Sequence, residues 1–204
     1  LFAIILEAEL EIVHNSSLQY SRMTFPAEEY LKYFSKYITN NKKAELVYGR
    51  LDISKKHFLQ NATLNIFSKT DKRPNSNYNS IPTEFKRLIF RGTVDSDYGK
   101  ELRKSLENHA YSFGKNQVFT RNQLLDESVE LIENKDSLSV DILQEYFIPD
   151  RNFDAFIKEI REVLPHQNID LLNITIRDVA TDTISFMHYA NEHVFGFVFL
   201  FNQP

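Results

Sequence analysis

The chain has 204 residues, 42% of them hydrophobic, enough for one sizeable core or two small ones fused edge to edge. A formal net charge of −4 makes it a poor electrostatic match for nucleic acid, so no nucleic-acid partner is expected. The absence of cysteine excludes disulfides, thiolate catalysis and zinc-finger sites, and fits a reducing, cytoplasmic compartment.

The opening stretch Leu1-Phe2-Ala3-Ile4-Ile5-Leu6 is apolar but short, and no apolar run reaches the length of a membrane span. It has no basic leader or cleavage site and does not read as a signal peptide. From Leu6 to Ile12 apolar and acidic residues alternate, which predicts a strand; a chain that opens in mid-strand reads as a piece of a longer protein. Residues 17–25 predict a second strand. Pro26 then suits the first position of a helix, with Glu28 and Glu29 in the first turn. Tyr30, Tyr33, Phe34, Tyr37 and Ile38 form the buried stripe of that helix. Strands are predicted over 44–51 and 62–69, followed by loop chemistry over 71–82, rich in Asn, Ser and Pro. A long helical region spans 83–109, with Gly92 and Gly99 as candidate breaks. Residues 111–121 are irregular by composition, and 124–133 read as a further helix. A strand over 140–148, a helix over 149–164 and strands over 169–179 and 194–201 complete the order. With five glycines and no Gly-rich strand-to-helix turn, the chain has no phosphate-cradling loop of the dinucleotide or Walker type.

One pattern occurs twice. Phe25-Pro26 is followed by Tyr30, Phe34 and an apolar strand ending in Arg50; Ile148-Pro149 is followed by Phe153, Ile157 and an apolar strand ending in Arg177. Pro149 lies 123 positions after Pro26, Phe153 keeps that offset from Tyr30, and the second copy has four extra residues before its arginine. The expected fold is α+β: two similar strand-helix-strand units feeding one mainly antiparallel sheet, with helices on one face.

Three further segments carry a resemblance: Leu1 to Leu10, Glu145-Tyr146-Phe147-Ile148-Pro149, and Asn173-Ile174-Thr175-Ile176-Arg177 followed by Gly196-Phe197-Val198-Phe199-Leu200-Phe201. In order and spacing they resemble the C-terminal substrate, or cap, portion of the FAD-linked oxidases of the vanillyl-alcohol oxidase type. Ala3 stands where that family's closing strand usually has glycine. The resemblance implies duplicated ferredoxin-like units. It places residues 1–13 as the terminal strand of an FAD-binding domain and 14–204 as the cap, with a first unit at about 17–69, a helical insert at about 83–133 and a second unit at about 140–202. It also implies FAD as cofactor of the full-length protein, held by an upstream domain of the same chain and not by this fragment. The reaction would be oxidation of a small alcohol or hydroxy acid, with hydride passing to flavin N5.

By the same resemblance, Arg177 is the candidate catalytic residue: an arginine at the matching position stands over the flavin ring and stabilises developing negative charge. The plainer reading is an arginine at a strand edge, paired with Asp178 or Asp182. Thr175 shares the strand face of Arg177 and is a candidate substrate contact, although the polyol oxidases tend to have glutamate there and threonine is also a good strand former. Tyr48 and Arg50 mirror Thr175 and Arg177 and are candidates for the far side of the same pocket, against a plainer reading as packing and surface charge. Glu145 is either a partner for Arg177 or, as preferred, solvent-facing by alternation. Among six histidines, none has metal-ligand spacing; His188 and His193 are placed for proton transfer, and His188 is counted with the substrate contacts. The mixed-sign run from Arg87 to Lys104 reads as a solvated helix face. The rival to the oxidase is a small-molecule sensor or protein-interaction module without catalysis, since fold alone does not choose between such uses.

Overall fold

The computed structural model describes residues 6–7, 9–74, 82–113, 117–126, 128–184, 188 and 190–203. Among the described residues there are seven strands, β1 (Ser17–Pro26), β2 (Ala44–Leu51), β3 (Asn61–Lys69), β4 (Val118–Thr120), β5 (Val140–Pro149), β6 (Asp170–Val179) and β7 (Val194–Gln203). The helices are α1 (Tyr30–Tyr37), α2 (Thr83–Arg91), α3 (Asp97–Phe113), α4 (Arg121–Leu125) and α5 (Phe153–Val163). All strands join one sheet in the order β4-β1-β3-β2-β6-β7-β5, every pair antiparallel. The α+β class with a mainly antiparallel sheet is therefore as expected. Among the described residues no helix is long and apolar enough to cross a membrane.

Pro26 and Pro149 end strands and do not open helices: each is followed by a single 3-10 turn before α1 or α5 begins. Proline's fixed φ suits both positions, and here ψ is extended at 136° and 149°. Of the opening stretch, residues 1–5 lie outside the described residues. Residues 6, 7 and 9–16 carry no regular secondary structure, and Leu6, Leu10 and Ile12 are exposed. Their alternation does not make a strand because no neighbouring strand among the described residues satisfies their backbone groups.

The two units correspond in strand order and in register. β1-β3-β2 and β5-β7-β6 each run strand, helix, strand, strand, with the last strand placed between the other two. Ladder shifts fall between Ala44 and Leu46 in β2 and between Leu171 and Asn173 in β6, at the same spacing that relates Arg50 to Arg177. The halves meet where β2 pairs with β6, Gly49 opposite Ile176 and Arg50 opposite Thr175. Beneath this seam the equivalent residues Tyr30 and Phe153 stack on each other, with ring centroids 5.2 Å apart and planes within 11°. Gly49 admits the Tyr30 phenol: a Cβ at that position would lie 2.5 Å from Tyr30 Oη, while the second half has Ile176 at the corresponding strand position. Phe34, Ile157, Ile174, Phe195 and Phe197 belong to the same core. Its apolar residues recur every three or four positions on the helices and alternate along the strands.

α1 and α5 cover one face of the sheet, as expected, but the insert covers part of the other. Phe90 of α2 packs on Leu172 and Leu200, and Phe119 of β4 packs with Leu18 and Phe67. Gly92 ends α2, whereas Gly99 lies inside α3 and is no break. A Cβ on Gly99 would lie 1.8 Å from the Gly92 carbonyl oxygen, so the glycine serves the close approach of the two helices. The irregular 111–121 stretch contains β4, and α4 with a short 3-10 turn takes the place of the single helix expected over 124–133. α4 starts with a capping box, the Thr120 hydroxyl accepting from the Gln123 N–H and the Gln123 side chain accepting from the Thr120 N–H.

Candidate functional site

On the insert-covered face, side chains of β1, β2 and β3 point toward α3 and enclose a cavity of about 580 Å³. Strand alternation brings Tyr20, Arg22 and Thr24, Tyr48 and Arg50, and Thr63 and Asn65 to this face. Helical spacing brings Lys100, Arg103, Lys104, Glu107 and Tyr111 down from α3. The Tyr111 hydroxyl fastens the helix to the sheet: it accepts from the Arg22 backbone N–H and donates to the Arg22 carbonyl, each at 3.1 Å. It thereby satisfies two backbone groups of β1 beyond the end of β4, which pairs only with residues 17–19.

Glu107 is the hub of the cavity's charges. Its Oε1 accepts from Arg103 Nε at 2.9 Å and Arg50 Nη1 at 3.3 Å, while its backbone carbonyl accepts from Arg22 Nη1 at 3.2 Å. Burial alone would raise the Glu107 carboxyl, but Arg103 and Arg50 outweigh it and hold the group below its ordinary value. Burial lowers the Arg103 guanidinium below the usual arginine value. Arg103 lies 4.9 Å from the Phe90 ring centroid and donates to the Leu172 carbonyl. Asn65, 4% exposed, accepts from the Tyr20 hydroxyl at 2.6 Å, and burial pushes that hydroxyl's pKa up. Lys104 pairs with Asp52 and Lys100 with Asp170, both at 2.6 Å.

Tyr48 and Arg50 line this cavity, with the guanidinium 5.6 Å from the Tyr48 ring centroid. Thr175 and Arg177 stand on the same sheet face, on β6, but do not line the cavity. Thr175 accepts a 2.9 Å hydrogen bond from Asn173. The Arg177 side chain is 60% exposed and pairs at 3.9 Å with Glu145, which is half-buried across β7 and is not turned to solvent as preferred above. Gly196 makes that pairing possible: it lies between the two, opposite Arg177, and a Cβ there would come 3.0 Å from Glu145 Oε1. His188 is exposed in the link between β6 and β7. Among the described residues no group of three His, Cys, Asp or Glu is placed to hold a metal ion.

His193 bridges Asp150 at 2.8 Å and Asp178 at 2.6 Å. Partial burial works against its charge, but hydrogen bonds to Asp178 and Asp150 outweigh it and raise the imidazole above its ordinary 6.5. Folding therefore favours the protonated ring. This stability is fully present below pH 6.5 and is lost as pH rises through the folded value. With the ring 41% exposed, the effect should stay below about 1 kcal/mol. Melting temperature recorded against pH should show this decline, and His193→Gln should remove it. A mutant profile parallel to the unmodified one would rule the bridge out as its source.

Sequence reasoning missed Arg22, Arg103, Glu107 and Tyr111. The run from Arg87 to Lys104 was expected to be a solvated face, yet the Lys100 and Arg103 side chains are only 11% and 14% exposed. The available signal was the helical spacing of Lys100, Arg103, Glu107 and Tyr111, which sets all four on one stripe. No protein-family model matches this chain, and no curated protein matches it in sequence.

Proposed function

We propose that this chain is the substrate-binding cap of an FAD-dependent oxidoreductase acting on a small alcohol or hydroxy acid, built from two ferredoxin-like units. One observation carries the reading. Tyr48 with Arg50 and Thr175 with Arg177 occupy matching positions on adjacent strands of one sheet face, and Arg177 stands on the part of it that leaves its side chain exposed. Such a face can present a fixed cation to a substrate lying against a second domain. FAD, when bound, supplies the hydride acceptor. This chain has no Gly-rich cradle for a pyrophosphate, so the cofactor would be held by an FAD-binding domain upstream in the same polypeptide. The role of this chain would be to orient the hydroxyl-bearing carbon, to exclude water, and to stabilise negative charge through Arg177.

The test is flavin content. The complete polypeptide containing this chain should remain yellow through gel filtration, with the spectrum of bound oxidised flavin, while residues 1–204 alone should be colourless. A complete polypeptide that neither retains nor takes up FAD would overturn the proposal and favour a binding module without catalysis.

A further inference from the structure

We propose that the cavity beneath α3 is a binding site for a small organic anion, a carboxylate carried on a flat, apolar body. This site is separate from the exposed Arg177 and does not depend on the flavin reading.

The volume, about 580 Å³, lies in the range of small-molecule sites. Charge points to the sign of the ligand. The chain as a whole is acidic, at −4, yet six cationic side chains line the cavity against two carboxylates, Asp52 and Glu107. Asp52 is engaged by Lys104, and Lys100 reaches out of the cavity to Asp170. The guanidinium groups of Arg22, Arg50 and Arg103 are thus gathered around Glu107, and the cavity keeps a positive excess. Such an excess is costly in a site partly withdrawn from water, and an incoming anion relieves it. Guanidinium forks match the two oxygens of a carboxylate. The remaining wall is aromatic and apolar, with Tyr20, Tyr48, Tyr111, Phe90 and Ile89 around the polar groups. Tyr20 already stacks on Phe67 at 4.8 Å and meets Tyr111 edge-on at 5.5 Å, so its ring is held in place before any ligand arrives. A planar body lying against these rings, with its carboxylate turned to the arginines, satisfies both walls.

The experiment is calorimetric titration of the 204-residue chain with benzoate, its neutral counterpart benzyl alcohol, and inorganic phosphate. Benzoate should bind, and benzyl alcohol should bind at least about tenfold more weakly, the loss expected for one charge-assisted hydrogen bond. Added salt should weaken benzoate. Arg50→Gln should weaken benzoate by about tenfold. Glu107→Gln should strengthen it, because the amide oxygen still accepts from Arg103 while the competing negative charge is gone. A purely structural role for these two residues predicts losses in both variants. Circular dichroism checks that each variant folds, and the benzoate–benzyl alcohol contrast in the unmodified chain stands even if one does not. No benzoate binding, equal binding of benzoate and benzyl alcohol, phosphate binding without benzoate, or affinity falling in both folded variants would each overturn the proposal.

Discussion

On the proposed cap function, Arg177→Met in the complete polypeptide is expected to slow flavin reduction by substrate roughly a hundredfold to a thousandfold, with FAD content unchanged. In that reading the cation on β6 would matter only as negative charge develops on the substrate, so its removal should raise the barrier by about 2.7–4 kcal/mol without affecting cofactor retention. Lysine should be a poor replacement, because one ammonium does not reproduce a planar fork. The competing account is local: Arg177 is 60% exposed and sits 3.9 Å from Glu145, the geometry of a surface ion pair. A pair of that kind contributes about 0–1 kcal/mol to stability and nothing to the chemical step. Rapid mixing of the mutant with substrate separates the two accounts. An unchanged reduction rate, with a small shift in melting temperature, would leave Arg177 as the partner of Glu145 alone.

Phe153→Ala should cost about 3–5 kcal/mol of folding stability, a large part of what a typical domain has. Phe153 is fully buried beneath the seam between the two halves, stacked on Tyr30 and in contact with Phe195 and Phe197. Its ring neighbours come from α1 in the first half and β7 in the second, so the space left by the ring cannot close without moving both halves. Leu88→Ala, at a position 67% exposed, should change stability by less than about 0.5 kcal/mol. Urea denaturation with matched slopes measures both. A loss of less than about 1 kcal/mol for Phe153→Ala would mean that the seam is not where the halves are held together.

The doubled pattern was readable because it is local. Alternation and short apolar runs marked β1, β2, β3, β5, β6 and β7 within a few residues, and the shared offset of the prolines and aromatics paired Tyr30 with Phe153. The extra four residues before Arg177 gave the offset at which the two strand ladders correspond. Folding added what no local pattern contains. The alternation of residues 6, 7 and 9–12 made no strand, because a strand needs a neighbour for its backbone and the described chain supplies none there. Gly99 was expected to interrupt a helix, but its role is the approach of Gly92, a residue seven positions earlier carried back by the turn between α2 and α3. The clearest case is α3 itself. Its stripe of Lys100, Arg103, Glu107 and Tyr111 has the composition of a solvated face, and composition by itself determined only that these residues share one side of a helix. Only the tertiary structure decided that this side faces the sheet. There Arg22 and Arg50 arrive from strands far away in sequence, and the carboxylate of Glu107 offsets part of the charge that would otherwise keep three guanidiniums apart.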